Sequence, residues 1–242
     1  MKIAVAGKGG AGKTTVSGTV ARAVARSGQR VLAVDTDVNP MLGISLGVGV
    51  EETERLASVR EALQQDDAEH EWTPEGIVER FGSDAPDGVR LVVASRMQSP
   101  DSGCMCCGVT PDYLLRELES EGRTVLGDLE AGVGVLSRMD PDNVDIVLVV
   151  ANPTAKSIEV ARRAIETAAA LNSRVLVVAN RISSDDDLNA ISAVAGMHEI
   201  VVVPEDPVIV QADKEGRAPL DCQGPAPGID ALLRLGQRLA AT

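Results

Sequence analysis

Seven short apolar runs punctuate the chain: KIAVA (2–6), RVLAVDTD (30–37), VRLVVAS (89–95), TVLGD (124–128), DIVLVVA (145–151), RVLVVAN (174–180) and EIVVVP (199–204). They are rich in Val, Ile and Leu without polar alternation, the pattern of parallel strands covered on both faces. Segments of helical period lie between them. Val16, Val20 and Val24 recur at four-residue spacing, and Gly28 closes that segment. Residues 51–82 are charged and read as helical, 153–171 as a clear helix, and 228–241 as a C-terminal one. Strand–helix alternation from end to end predicts an α/β fold, a mostly parallel β-sheet with helices on both faces. Neither an internal repeat nor a linker interrupts it, so residues 1–242 read as one domain.

Composition narrows the function. The chain has 242 residues and is 44% hydrophobic, enough for a full core in one domain. Lys plus Arg number 23 against 36 Asp plus Glu, a net charge of -13, which argues against a nucleic-acid partner. Aromatic residues are only 1%, too few for base-stacking platforms. No apolar run reaches the length of a membrane span. The apolar start MKIAVAGKGG leads straight into a glycine loop and does not read as a signal peptide, so a cytoplasmic protein is expected. Cys104, Cys106 and Cys107 are crowded together with Cys222 far away, which suits a metal or redox site better than a disulfide framework.

The loop GKGGAGKTT (7–15) carries the first chemistry. Gly7-x4-Gly12-Lys13-Thr14, between a predicted strand and a predicted helix, is the phosphate-loop pattern. Backbone N–H groups of Gly7, Gly9, Gly10, Ala11, Gly12, Lys13, Thr14 and Thr15 would wrap the phosphates at a helix N-terminus. Lys13 would contact the β- and γ-phosphates, and the Thr14 hydroxyl would bind Mg²⁺. An ordinary loop of this kind needs no lysine beside its first glycine, yet Lys8 stands there.

With Lys8, the sequence Lys-Gly-Gly-x-Gly-Lys-Thr-Thr resembles the deviant Walker A loop of the MinD/ParA/nitrogenase-iron-protein superfamily of P-loop NTPases. The resemblance implies an ATP-hydrolysing homodimer in which Lys8 crosses the interface to phosphates held by the other subunit. It places switch I at Asp35-Thr36-Asp37, with Val38 where the family has proline and Pro40 two residues later. Asp37 is then the residue that orients the attacking water. Asp128, after an apolar run, would hold Mg²⁺ through water. Asp128-Leu129-Glu130-Ala131-Gly132 resembles switch II, whose Gly132 N–H senses the γ-phosphate. Asn180-Arg181 resembles the family's base-contacting pair, and Val203-Pro204-Glu205-Asp206-Pro207, followed by Ala212 and Gly216, its adenine-side loop. The guanine-reading Asn-Lys-x-Asp is absent, so ATP is favoured over GTP.

Cys104-x-Cys106 is too short to close a tetrahedral site alone, but two copies across a symmetric dimer supply four thiolates. Together with the Asp-x-Glu-Ala-Gly loop, this resembles the CooC-type ATPases, which act in nickel insertion into carbon monoxide dehydrogenase. The resemblance implies Ni²⁺ or Zn²⁺ held between subunits by Cys104 and Cys106, and a client metalloenzyme as partner. Cys107 departs from that pattern, as a third ligand, a redox partner or an inert neighbour. Two alternatives remain. A regulatory or positioning ATPase switch of the MinD/ParA type leaves the thiols without work. An electron donor resembling the nitrogenase iron protein, with an iron–sulfur cluster, lacks a cysteine in switch II, where Ala131 stands.

Overall fold

The computed structural model describes residues 1–56, 73–94, 111–118, 120 and 122–242. Cys104, Cys106 and Cys107 lie outside the described residues. The first half of the chain forms β1 (Lys2–Gly7), α1 (Lys13–Arg26), β2 (Val31–Asp35), α2 (Leu42–Leu46), α3 (Pro74–Phe81), β3 (Ser83–Ala85) and β4 (Val89–Val93). Residues 50–56 are also helical. Next come α4 (Pro111–Glu117), β5 (Thr124–Asp128), β6 (Ile146–Ala151), α5 (Ala155–Ala170) and β7 (Arg174–Ile182). The chain ends with α6 (Asp185–Ala195), β8 (Glu199–Pro204), α7 (Pro207–Glu215) and α8 (Pro227–Ala240).

The strands form one eight-stranded sheet in the order β3-β4-β2-β5-β1-β6-β7-β8. All pairings are parallel except β3 against β4, an antiparallel edge. The seven apolar runs thus all become parallel strands. The three-residue edge strand Ser83-Asp84-Ala85 is polar and short, and nothing in the hydrophobic pattern marks it.

Two apolar layers flank the sheet. On one face α1, α2 and α8 bring Val16, Val20, Leu46, Leu232 and Leu235 onto the strands. On the other, Ile77 of α3, Leu114 of α4, Ala161 and Ile165 of α5 and Ile191 of α6 do the same. The sheet is therefore buried on both sides, which is why its strands carry no polar alternation. Helices α1 and α8 approach closely. A Cβ at Gly236 would fall 2.4 Å from that of Ala23, so the contact requires glycine there. Among the described residues, no helix is long and apolar enough to cross a membrane.

Arg22 of α1 is 3% exposed and pairs with Asp87 (2.6 Å) and Asp221 (2.9 Å), tying α1 to the turn before β4 and to the segment before α8. The glycine loop is thereby carried on a helix fixed at several points. The chain leaves β1 toward β2 on one side and later lays β6 on the other, so a crevice opens at the carboxyl end of β1. In open parallel sheets that is where ligands bind.

Candidate nucleotide site

β1 runs directly into the loop, and two of its glycines are required by close approach. Gly7 sits at φ 150°, and a Cβ there would fall 2.3 Å from the Val150 carbonyl oxygen of the neighbouring strand. Gly12 caps α1 at φ 100°, in the left-handed region, and a Cβ there would fall 2.3 Å from Asn180 Nδ2. The second constraint joins distant parts of the sequence, because Asn180 Nδ2 donates to the Ala11 carbonyl (2.8 Å). Asn180 is thus a buried brace of the loop as well as part of the crevice wall.

The two lysines differ. Lys13, the first residue of α1, is 7% exposed and within electrostatic reach of Asp128. Lys8 is only half-buried, and its ammonium donates to the Gly9 carbonyl of its own loop (2.9 Å).

Asp35 and Asp128 are register partners at the ends of adjacent strands, and both are buried. Asp35 accepts from the N–H groups of Leu42 (2.8 Å) and Asp37 (3.1 Å). Burial first, and then the nearby Asp128 carboxylate, push its pKa up to about 8. Burial also raises Asp128, to about 6, against the lowering effects of the Thr14 hydroxyl, Lys13 and Ser17. Ser17 Oγ donates to Asp128 Oδ1 (2.9 Å). Asp37, next to this pair, is half-buried and accepts from Asn39 N–H (3.0 Å). A cluster of carboxylates beside a threonine hydroxyl is an all-oxygen donor set, and its mutual repulsion is what a hard divalent cation relieves. The residues present fit such an ion.

The crowding also has a consequence for stability. The unfolded chain releases the Asp35 proton near 3.8, whereas the folded chain keeps it until about 8. Between those values the folded state binds more protons, so its stability falls as pH rises. We expect the melting temperature, measured with a chelator and without nucleotide, to drop from about pH 5 to about pH 8. Asp35→Asn should flatten that drop. A profile equally steep in the variant would assign the slope to other groups.

The loop after β5 is attached to the end of β1 at two points. Leu129 N–H donates to Val5 O (3.1 Å) and Gly132 N–H to Gly7 O (3.0 Å). The Gly132 N–H read from the sequence as a phosphate sensor is therefore bonded to protein here, and that bond must open before Gly132 meets a phosphate. Asp206 similarly has both oxygens in use. Oδ1 accepts from Val208 N–H (2.9 Å) and Oδ2 from Gly228 N–H (2.8 Å), holding the starts of α7 and α8 together. It shapes the wall of the crevice from behind.

Beside the glycine loop lies a cavity of about 240 Å³. Gly12, Thr15, Asn180, Arg181, Pro204 and Glu205 line it with Asp206, while Val16, Ile209, Val210 and Leu232 add an apolar surface. Arg181 takes φ 61° where β7 has its irregularity against β8, between Asn180 and Ile182. That uncommon conformation for a non-glycine residue places Arg181 at the cavity. The sequence-predicted residues of the glycine loop, switch I, switch II and the base side thus converge on one crevice. Sequence reasoning passed over Ser17, Thr36 as a bonding group, and the apolar pair Ile209–Val210. Of these, Ser17 carried a signal, standing one helical turn after Lys13 on the same face.

Relatives point the same way. Residues 2–220 match the sequence profile of the CobQ/CobB/MinD/ParA nucleotide binding domain. An uncharacterized ATP-binding protein of Methanocaldococcus jannaschii is 29% identical over 233 residues, covering 90% of each chain. The carbon monoxide dehydrogenase accessory protein CooC of Rhodospirillum rubrum is 29% identical over 235 residues, covering 89% of this chain and 88% of its own. The cell division ATPase MinD of Pyrococcus furiosus superposes with a TM-score of 0.71 at 25% identity, covering 99% of this chain and 98% of that one. With the profile spanning nearly the whole chain and the glycine loop, carboxylates and adjoining cavity joined in one crevice, the protein belongs to the CobQ/CobB/MinD/ParA nucleotide-binding family, as a MinD/ParA-type P-loop ATPase.

Proposed function

We propose that this chain is a cytoplasmic, ATP-switched homodimer that holds Ni²⁺ or Zn²⁺ on Cys104 and Cys106 and assists metal, specifically nickel, insertion into a client metalloenzyme. The observation that carries this reading is a conjunction on one chain. A glycine-loop crevice of the nucleotide-binding family occurs with a Cys104-x-Cys106 motif in a relative of CooC, 29% identical over most of its length. The metal is cargo, and the nucleotide cycle governs when the two subunits are joined.

In this account the glycine-loop N–H groups, from Gly7 to Thr15, and Lys13 bind the phosphates of ATP. Asn180, Arg181, Pro204 and Glu205 wall the base. Thr14 and Asp128 would hold Mg²⁺, which neutralises charge on the transferring phosphoryl group when bound. Asp37, beside the carboxylate cluster, would orient the attacking water. Residues 1–242 act as one domain.

Lys8 supports the dimer. Lys13 already supplies the buried cation of the subunit's own loop, whereas Lys8 rests on the Gly9 carbonyl and is free to swing outward at the cost of one exposed hydrogen bond. Lys8→Ala is therefore expected to bind ATP within about threefold of the wild type but to stay monomeric with Mg-ATP, since the charge it loses acts across the interface. Light scattering measures this directly. A variant that dimerises with ATP like the wild type would remove Lys8 from the interface.

A further inference from the structure

We propose that the Thr36 hydroxyl is a positioning group that clasps switch I to switch II, so that the segment carrying Asp37 and the loop 128–132 respond to ATP as one unit. This rests on the reading of the crevice as the site of ATP hydrolysis. Thr36 is 1% exposed and lies between Asp35 and Asp37, just past the end of β2. Its N–H donates to the Asp128 carbonyl (3.0 Å), extending the β2–β5 ladder by one bond. Its hydroxyl donates to that same carbonyl (2.9 Å) and accepts from Glu130 N–H (3.1 Å). One side chain thus occupies both sides of the junction, holding the end of β5 and the loop that leaves it.

The neighbouring bonds give the clasp mechanical meaning. Asp35 fixes the N–H groups of Asp37 and Leu42, which sets the course of the segment after β2. Leu129 and Gly132 fix the loop to Val5 and Gly7 of the strand that enters the glycine loop. A contiguous path therefore runs from Gly7 through 129–132 to Thr36 and on to Asp37. The hydroxyl is the side-chain link between the two switches along that path. Replacing it by a methyl group of similar shape leaves Asp128 O with the Thr36 N–H but takes from Glu130 N–H its bonded acceptor. Such a loss changes coupling with little change in shape.

The experiment compares the wild type with Thr36→Val and Thr36→Ser in steady-state ATPase kinetics, thermal melting, and hydrogen exchange of segments 36–42 and 128–132 with and without Mg-ATP. Thr36→Val is expected to lower kcat roughly 10- to 100-fold with KM within about threefold, and Thr36→Ser to restore most of it. ATP should protect both segments in the wild type and in Thr36→Ser, but only one in Thr36→Val. Wild-type kcat in Thr36→Val would overturn the proposal. So would equal losses in Val and Ser that follow a lowered melting temperature, because these describe core packing alone. If Thr36→Val does not fold, Thr36→Cys, a close filler with a weak donor, is read against Thr36→Ser in the same way. If the wild type binds ATP without hydrolysing it, the ATPase reading fails, and the paired or unpaired protection still decides whether the clasp exists.

Discussion

Lys13→Ala is expected to leave a folded protein that has lost ATP turnover by roughly 10²- to 10³-fold, with nucleotide affinity falling in parallel. The reason is positional. Lys13 is the first residue of α1, 7% exposed, with its charge set beside the buried Asp128 and at the mouth of a loop whose glycines expose backbone N–H groups. No other residue of the loop brings a buried cation to that point. The fold does not need the ammonium, because the same layer is held by Val16, Val20 and the Arg22 ion pairs one and two turns further along α1. Loss of Lys13 also removes an attraction that holds Asp128 down, so Asp128 should take up a proton more readily in the variant. Titration with a fluorescent ATP analogue and a phosphate-release assay measure both effects. Full activity in Lys13→Ala would place ATP elsewhere.

If the proposed cargo site exists, the double variant Cys104→Ala/Cys106→Ala should bind almost no transition metal while keeping ATP affinity. Two thiolates of a Cys-x-Cys pair cannot complete a tetrahedral site, but the proposed symmetric dimer would bring four. The residues proposed to bind the nucleotide lie in other segments, in the glycine loop, around Asp35–Asp37, at 128–132, and at 180–206. Removing the thiols should therefore empty the cargo site and leave the ATP switch working. Cys107 and Cys222 remain in the variant, so retention of metal would assign binding to one of them, and loss of ATP binding together with metal would show the two sites are not separable.

Much of this molecule is legible in its sequence, for reasons that differ by element. The parallel strands announce themselves because burial on both faces permits only apolar side chains, as in IVLVVA of β6. The glycine loop announces itself because phosphate binding demands a small set of backbone conformations. Helix α6 is less visible in hydrophobicity, although Ser184 and Asp187 form a capping box at its start. Helix α7 follows the same rule, with Asp206 as cap and Pro207 at its first position. Reading Pro204-Glu205-Asp206 as an adenine-side loop passes over that helix start. Register lies beyond sequence patterns altogether. That Asp35 faces Asp128 across β2 and β5, and that the intervening Thr36 reaches Glu130, follows from how strands far apart in sequence pair. The bonds from Gly132 N–H to Gly7 O and from Gly228 N–H to the Asp206 carboxylate also join segments apart in sequence and are invisible in its patterns.

The most direct test of a metal-carrying ATPase is the metal and acid-labile sulfide content of wild-type protein purified without oxygen, measured on the dimer formed with Mg-ATP. About one Ni²⁺ or Zn²⁺ per two chains and no sulfide is expected. Iron with matching sulfide would instead describe an electron-donating ATPase, and no bound metal after reconstitution would contradict the cargo site and leave a nucleotide switch alone.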